Sequence, residues 1–254
     1  MDNRKKANID EILEISTPKV KLSDVMMTRA VEKQIDIFLG EHAAHAELAK
    51  FKLAPRHKLL LSGPPGNGKT MLAEAMADAL ALPFAKAQQA GLIDCHLGET
   101  SKNIRGLFEY ANSNPCLLLI DEIDGLSTSR TSGTQDLGEM KRVTVNLMLA
   151  VEALSPKSVL VAASNLVETL DAALVRRFDF KLSVEAPTPA QRIAVIGNAL
   201  SPDITPGYDL TEHFEHLASL EIPNLHELTL RCQEIRRDLA INRGNGLLAL
   251  LEKA

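Results

Sequence analysis

Residues 63–70 read Gly-Pro-Pro-Gly-Asn-Gly-Lys-Thr and match the pattern G-x-x-x-x-G-K-[ST] at every fixed position. Glycines in such a loop let backbone N–H groups turn inward around a polyphosphate. Lys69 can reach the β- and γ-phosphates, and the Thr70 hydroxyl can bind Mg²⁺. A glycine-rich turn without a ligand is the alternative. The pattern predicts contacts to a nucleotide phosphate from Gly63, Pro64, Pro65, Gly66, Asn67, Gly68, Lys69, Thr70 and Met71.

A pair of carboxylates follows an apolar run further along the chain. Cys116–Ile120 is continuously apolar, which is typical of a central parallel strand buried on both faces, and Asp121 and Glu122 come directly after it. An aspartate at this strand end can hold the magnesium shell beside Thr70. The adjacent glutamate can polarise a water for in-line attack on the γ-phosphate. A solvated acidic helix cap is the alternative, and Asp124 is expected to have a capping or surface role.

An asparagine and two arginines complete the set of candidate residues. Asn165 follows a predicted strand, where its amide could orient the attacking water or sense the γ-phosphate, although an asparagine there is otherwise a turn former. Arg176 and Arg177 are adjacent and precede another apolar run. Guanidinium groups stay protonated and suit stabilisation of a phosphoryl-transfer transition state. Surface salt bridges are the alternative for this pair.

Strands and helices alternate around these motifs. Apolar runs predict strands at 58–62, 84–87, 116–120, 158–163 and 178–184, and helical spacing predicts helices at 28–50, 71–80, 100–112 and 137–154. This alternation implies a parallel sheet covered on both faces. Residues 1–20 are expected to form a short arm with a helix near Ile9–Ile15.

A proline-containing stretch at Glu185–Pro189 marks a domain boundary. Beyond it, helical patterns are predicted at 189–200, 209–219, 223–242 and 245–253. We therefore expect three parts: an N-terminal arm over 1–21, a large α/β nucleotide-binding domain over 22–186 and a small helical domain over 187–254.

Composition limits the classes of partner and the cellular setting. The chain has 254 residues and a formal net charge of −5, and the absence of a basic stripe argues against a nucleic-acid partner. Its three cysteines, Cys95, Cys116 and Cys232, lack metal-type spacing and suit a reduced setting. Residues 1–15 are polar and charged, unlike a signal peptide, and no apolar run approaches the length of a membrane span. We expect a cytoplasmic protein without a membrane partner.

In their order and spacing, Gly63–Thr70, Leu117–Asp124, Asn165 and Leu170–Asp179 resemble the AAA clade of AAA+ ATPases. The resemblance covers roughly residues 22–242 and implies the fold of a P-loop NTPase. It predicts a doubly wound parallel sheet of strand order 5-1-4-3-2, followed by a small all-α lid domain. It also implies hydrolysis of ATP to ADP and phosphate, with Mg²⁺, at the interface of a ring that is usually hexameric.

The resemblance assigns further roles and shows where the chain departs from the family. Asn165 takes the position called sensor 1, and Arg176 and Arg177 take the arginine-finger positions that act on ATP in the neighbouring subunit. The family usually has a Pro-Gly insert between its two arginines, whereas here they are adjacent. The family's substrate-gripping pore loop aligns with His96, Leu97 and Gly98, so a histidine replaces the usual aromatic residue. His226 replaces the arginine of the family's sensor 2.

Three functions follow as hypotheses. The leading one is ATP-driven protein remodelling or unfolding through a central pore, a chaperone-like activity on a protein substrate, with recognition supplied by an adaptor because the arm is short. One alternative is a switch that assembles a ring with ATP and resets on hydrolysis. The other is a nucleic-acid-associated motor or loader, which the net negative charge disfavours. A simple P-loop kinase fits less well, because Glu122, Asn165 and the arginines suit attack by water.

Overall fold

The computed structural model describes residues 9–92, 97–127 and 134–243. Two compact units divide the chain: one holds the residues up to Gly63 and Lys69–Val184, and the other holds Pro64–Gly68 and the residues from Glu185 onward. Within the described residues the first unit contains one six-stranded sheet. Its strands are β1 (Leu13–Ser16), β2 (Lys58–Ser62), β3 (Phe84–Ala87), β4 (Leu117–Ile120), β5 (Val159–Ser164) and β6 (Phe180–Ser183).

The order of strands across the sheet is β1-β3-β4-β5-β2-β6. Strands β2 to β6 pair in parallel, with Leu60 opposite Ala162 of β5 and Lys181 of β6, and with Leu118 opposite Ala85 of β3. Counted along the chain, these five parallel strands have the order 5-1-4-3-2. The predicted fold class and strand order are therefore confirmed.

Both faces of the parallel sheet are buried, which explains its continuous apolar runs. Successive side chains alternate between two cores because a strand has a period of two residues. Leu60, Leu118, Ile120, Leu160 and Ala162 lie in one core, whereas Leu59, Leu61, Leu117, Leu119 and Val161 lie in the other. The carboxyl ends of these strands therefore carry the polar residues that follow the runs.

Helices of the first unit cover these two faces. They are α1 (Arg29–Ala43), α2 (His45–Lys50), α3 (Lys69–Ala79), α4 (Gln89–Leu92), α5 (Leu97–Ser113), α6 (Asp124–Ser127), α7 (Thr134–Glu152) and α8 (Ala172–Val175), with 3₁₀ turns at Leu22–Asp24 and Val167–Thr169. The single helix predicted over 28–50 is wrong in one respect, because it is interrupted at Ala44. There the His45 ring Nδ1 lies 3.3 Å from the His42 carbonyl oxygen. In an uninterrupted helix this carbonyl would accept a backbone N–H hydrogen bond instead.

The N-terminal arm contains a strand where a helix was predicted. Helical backbone covers residues 9–12, and Leu13–Ser16 then pairs antiparallel with β3. Ile12 and Leu13 are buried in the core beneath it. The prediction of a helix through Ile15 fails because the open edge of β3 offers a row of backbone partners, a tertiary contact that local spacing does not reveal.

The second unit is helical. It contains α9 (Pro189–Ala199), a 3₁₀ turn at Thr211–His213, α10 (Phe214–Ser219) and α11 (Leu225–Asn242). Thr188 caps α9 in a reciprocal pair with Gln191, and Pro189 occupies the first turn, where its missing N–H costs nothing. The core of this unit includes Ile196, Leu200, Leu217, Leu228, Cys232 and Ile235. The helix predicted at 245–253 lies outside the described residues.

Over residues 9–92, 97–127 and 134–243, no helix combines the length and the apolar character that a membrane span requires.

Candidate nucleotide-binding site

The phosphate loop begins with a glycine that the fold requires. Gly63 follows β2 with φ of +134°, and a Cβ placed on it would lie 2.1 Å from the Val184 carbonyl oxygen. A side chain is excluded by that backbone contact as well as by the dihedral angle. The tight turn brings the chain directly from β2 to α3, which starts at Lys69.

Lys69 is the buried cation of the site, with 7% of its surface exposed. Its Nζ donates to the Gly63 carbonyl and to Asn165 Oδ1, both at 2.7 Å. Burial lowers the pKa of Lys69, and the nearby carboxylates of Asp121, Asp124 and Glu122 partly oppose that shift. A desolvated ammonium held by two oxygen acceptors is suited to bind the oxygens of a phosphate.

Thr70, the residue after Lys69, contacts Asp121 at the end of β4. The Thr70 hydroxyl donates to Asp121 Oδ2 at 2.7 Å, and the Asp121 carbonyl accepts from Gln89 Nε2 at 3.1 Å. Hydroxyl and carboxylate oxygens are the hard ligands that Mg²⁺ prefers, and Mg²⁺ usually takes only one or two protein ligands beside phosphate and water. This donor pair fits a magnesium ion. Among the described residues, no group of three or more His, Cys, Asp or Glu side chains is arranged to hold a metal by itself.

Glu122 sits in a conformation that is uncommon outside glycine. Its φ is +46°, and its side chain is exposed at the end of β4. The turn is fixed on both sides, because the Glu122 N–H donates to Asp121 Oδ1 at 3.0 Å and the Ile123 N–H donates to the Ala163 carbonyl at 2.9 Å. Left-handed backbone at such a residue costs energy and is concentrated at functional sites. The carboxylate is thus presented to solvent beside Asp121 on a fixed backbone.

Asn165, Ser164 and Asp124 form a second polar group at the neighbouring strand end. Asn165 is half-buried and reaches Lys69, as described above. Ser164 is fully buried, and its hydroxyl donates to Asp124 Oδ1 at 2.7 Å and accepts from the Leu166 N–H at 3.0 Å. The sequence predicted a capping or surface role for Asp124 and did not predict its contact with Ser164. Sequence reasoning missed Ser164, although its position directly before Asn165 at a strand end was a usable signal.

The middle of the phosphate loop belongs to the second compact unit, and its contacts there were not predicted. Asn67 is 2% exposed; its Oδ1 accepts from the Leu225 N–H at 3.3 Å, and its Nδ2 has no hydrogen-bond partner among the described residues. The His226 N–H donates to the Gly66 carbonyl at 3.0 Å. A buried amide donor without a partner fits a loop that holds an anionic ligand. The first-turn amides of α11 thus bind the loop, and the exposed His226 side chain does not take part in these bonds.

The other predicted residues make no side-chain contact described so far. Pro64 and Pro65 are exposed, Gly68 has φ of +89°, and Met71 is 39% exposed on α3. His96 lies outside the described residues. Leu97 and Gly98 are the first two residues of α5.

The two arginines differ in their surroundings. Arg176 ends α8 and its side chain is exposed. Arg177 is half-buried, with Nε 3.0 Å from Glu152 Oε1 and Nη1 donating to the Ala173 carbonyl at 2.6 Å. The structure joins Lys69 to Asn165 and Thr70 to Asp121, whereas the side-chain contacts of Arg177 lie elsewhere, with Ala173 and Glu152.

Comparisons with known proteins identify the family. Residues 59–186 match the model of the ATPase family associated with various cellular activities (AAA). The chain is 37% identical over 180 residues to the uncharacterized AAA family ATPase y4kL of Sinorhizobium fredii, covering 71% of this chain and 54% of that protein. It is 35% identical over 190 residues to the peroxisomal ATPase PEX6 of Arabidopsis thaliana, covering 72% of this chain and 20% of PEX6.

The fold also matches a solved structure, the crystal structure of the FIGL-1 AAA domain. The match has a TM-score of 0.74 at 23% sequence identity and covers 98% of this chain and 82% of that one. The same domain has been solved in complex with ADP. The chain spans about half the length of y4kL and a fifth of PEX6. The extent of the family match, together with the phosphate loop and the strand-end residues, shows that this chain belongs to the AAA family of ATPases.

Proposed function

We propose that the chain binds ATP with Mg²⁺ and hydrolyses it to ADP and phosphate. The observation that carries the proposal is the connected group of Lys69, Asn165, Thr70 and Asp121 at the carboxyl edge of the sheet. The ADP complex of the FIGL-1 domain supports nucleotide binding by this fold. In open parallel sheets, ligands bind outside the carboxyl ends of the strands, which is where these residues lie.

The residues divide the chemistry among them. Lys69 would exchange its contacts with Gly63 and Asn165 for phosphate oxygens, which leaves the Asn165 amide available to orient water. Glu122 accepts a proton from that water. The water oxygen attacks the γ-phosphorus, and the bond between the γ-phosphorus and the β-phosphate oxygen breaks. Thr70 and Asp121 would hold Mg²⁺, which neutralises charge on the β- and γ-phosphates when bound.

We further propose an assembly and a division into domains. Residues 22–186 form the large nucleotide-binding domain, 187–254 the lid and 1–21 the N-terminal arm. The chain forms a homo-oligomeric ring, a hexamer by resemblance to its family, in which an arginine acts on the nucleotide of the next subunit. The observation that supports action in trans is that neither Arg176 nor Arg177 contacts the Lys69 group of its own chain among the described residues.

The proposed work of the ring is remodelling of a protein substrate, delivered by an adaptor, in the cytoplasm. Proteins similar to this chain have names that describe ATP-driven function, among them PEX6 and the ATP-dependent zinc metalloprotease FtsH 3 of Symbiobacterium thermophilum. The reduced setting is supported by Cys116 and Cys232, which are free cysteines in the structure. His96, Leu97 and Gly98 are proposed to grip the substrate.

Hydrolysis is tested with the purified chain, MgATP and a phosphate-release assay. The parent is expected to release phosphate, and Lys69→Ala should bind ATP at least about 100-fold more weakly, because charge-assisted contacts to two phosphates are lost. Lys58→Ala, a lysine at the opposite end of β2, is the matched control and should bind normally. Equal ATP affinity in Lys69→Ala and the parent would contradict the site.

The pore proposal needs a separate measurement. His96→Ala should retain basal ATP hydrolysis and lose the increase in hydrolysis that an unfolded protein substrate produces. If the substrate stimulates hydrolysis by this variant as much as by the parent, His96 does not grip the substrate. That result would favour the alternative of an ATP-dependent assembly switch.

A further inference from the structure

The described part of the N-terminal arm, residues 9–16, is docked on one edge of the sheet by backbone hydrogen bonds. Strand β1 pairs antiparallel with β3, with Leu13 opposite Ala87. Just beyond this ladder the Gln88 N–H donates to the Ile12 carbonyl at 2.8 Å. Residues 9–16, which we call the arm segment, therefore cover backbone groups of β3 that would otherwise form an open sheet edge.

Two buried side chains and two glycines fit the arm segment to the surface beneath it. Ile12 and Leu13 are 2% and 3% exposed. A Cβ placed on Gly91 of α4 would lie 2.3 Å from the Glu11 carbonyl oxygen, and one placed on Gly106 of α5 would lie 4.0 Å from Ile12 Cδ1. Because helices favour alanine over glycine, the close approach of the arm backbone is the physical reason for a glycine at position 91.

Helix α4 joins the arm segment to the turn after β4. The Gly91 carbonyl accepts from Asn103 Nδ2 at 2.9 Å, which holds α4 against α5. At the first residue of α4, Gln89 Nε2 donates to the Asp121 carbonyl at 3.1 Å. Glu122 follows Asp121 in the left-handed conformation described above. The turn that presents these two carboxylates therefore has a support in α4, against which the arm segment packs.

The residues that follow the arm segment are tied to α3, the helix that starts with Lys69. The Lys19 N–H donates to Glu74 Oε1 at 2.9 Å, and Lys21 Nζ lies 2.8 Å from Asp78 Oδ1. Both acceptors belong to the same compact unit as β3. These contacts favour the chain's own arm, rather than that of a second copy, as the source of the strand on β3.

The arm segment is also the least buried part of the sheet. In β1 only Leu13 is buried, whereas all four residues of β4 and all six residues of β5 are buried. Elements with few buried side chains open locally at a lower free energy than the core. The arm segment can therefore leave β3 without unfolding the strands beneath it.

We infer that the groove formed by the edge of β3, α4 and Gly106 is a docking site for the chain's own arm segment and that docking regulates the nucleotide site. With the segment docked, α4 is fixed and Gln89 supports the Asp121 carbonyl. With the segment released, this support weakens and hydrolysis slows. Gln89 is thus a positioning residue, and the arm segment is a built-in activator. The regulatory effect rests on the proposed function, whereas the docking does not.

Docking is tested by hydrogen exchange in the full chain without nucleotide. Gly91→Ala places a methyl group against the Glu11 backbone, so the Gln88 amide should exchange at least about tenfold faster while the buried Leu160 amide is unaffected. Gly40→Ala is the matched control, because a Cβ on this glycine of α1 would meet nothing within 4 Å. An unchanged Gln88 rate in Gly91→Ala would overturn the docking. A Gln88 rate that rises as the parent is diluted would overturn the assignment to the chain's own arm.

The groove itself is tested with a labelled peptide of residues 9–17. Leu13→Asp puts a charge on the buried side of the arm segment, so it should release the chain's own arm. This variant should bind the peptide saturably, and the parent should bind it at least about tenfold more weakly because its groove is occupied. Adding Gly91→Ala to Leu13→Asp should abolish binding, whereas adding Gly40→Ala should not. Absence of binding to folded Leu13→Asp protein would overturn the docking site.

Regulation is tested in the same Leu13→Asp chain. Release of the arm should lower kcat about tenfold with little change in the ATP concentration at half-maximal rate, and saturating peptide should restore kcat. The peptide should also slow exchange of the Glu122 amide, which donates to Asp121 Oδ1. Adding Gln89→Ala to Leu13→Asp should preserve peptide binding and remove both responses.

The outcomes separate this regulation from the proposed function. Peptide binding that changes neither kcat nor exchange of the Glu122 amide would overturn the regulatory role of the arm segment. Both responses persisting after Gln89→Ala would overturn the positioning role of Gln89. Absence of hydrolysis by the parent, with the Glu122 exchange response intact, would instead count against the proposed function.

Discussion

Two groups within the first compact unit use their polar side chains in opposite ways: the strand-end group of Lys69, Thr70, Asp121 and Asn165, and the arginine segment, residues Asp171–Asp179. Lys69 donates to Asn165 and Thr70 donates to Asp121, so each of these side chains has a hydrogen-bond partner within its own chain. The arginine segment instead commits Arg177 to internal contacts and leaves Arg176 exposed. The first arrangement prepares a binding site within one chain, whereas the second presents a cation outward.

This difference indicates how a charged residue is prepared for each task. A buried cation such as Lys69 needs acceptors at all times, because desolvation without them is costly. An exposed guanidinium such as Arg176 keeps its hydration and needs only a fixed backbone. The comparison predicts large effects on chemistry from the strand-end residues and small effects on stability from the arginine segment.

The largest effect is expected at the residue proposed to activate water. Glu122→Gln should lower kcat about 10²–10⁴-fold, since the amide cannot accept the proton, while ATP affinity remains close to that of the parent. Single-turnover phosphate release and equilibrium binding separate the two quantities. Glu168→Gln, an exposed glutamate near the end of β5, is the control; parental turnover in Glu122→Gln would exclude a water-activating role.

A smaller effect is expected at Asn165. Asn165→Ala removes an orienting amide rather than the proton acceptor, so kcat should fall about 10–100-fold, consistent with the loss of one or two hydrogen bonds in the transition state. The side chain of Asn114, exposed just after the end of α5, offers a matched Asn→Ala control. A loss confined to ATP affinity would indicate that Asn165 serves only to hold Lys69.

The buried support beneath this asparagine should affect stability. Ser164→Ala leaves the Leu166 N–H and the Asp124 carboxylate without their hydroxyl partner, which should lower the free energy of unfolding by about 1–3 kcal/mol. Urea denaturation measures the change. Ser155→Ala, at a more exposed serine, should have less effect, and equal values for the two variants would contradict the structural importance of the Ser164 contacts.

The smallest effect on stability is expected at Glu152, the partner of Arg177 in α7. Glu152→Gln removes the ion pair with Arg177, in which half of the Glu152 side chain is exposed, and should change the free energy of unfolding by less than about 1 kcal/mol. The same urea titration measures it. If Glu152→Gln lowers the free energy of unfolding as much as Ser164→Ala does, the two regions do not differ in the way proposed.

Several of these features could be predicted from the sequence, because they depend on residues that are close together along the chain. The strand β4 has a continuous apolar run, Asp121 and Glu122 follow it immediately, and the phosphate loop has a fixed spacing. Such patterns depend on neighbouring residues alone. Through resemblance to the AAA family they therefore predicted the strand order and a group of candidate residues. The comparisons confirm the family, and the sheet confirms the strand order.

Other features depend on contacts between distant parts of the chain. Strand β1 exists because it pairs with β3, Asn67 is bonded to Leu225 across 158 positions, and Arg177 contacts Glu152 from another helix. No periodicity within one segment carries this information. The two arginines look equivalent in the sequence, and only their burial and contacts distinguish them.

The most direct test of the central claim is the turnover of the unmodified protein as it is diluted. If an arginine from a neighbouring subunit completes the site, ATP hydrolysed per subunit should fall steeply below the concentration at which sedimentation shows assembly, while the affinity for ATP stays nearly constant. Constant turnover per subunit in a solution shown to contain only monomers would contradict the account, because the site would then be complete within one chain.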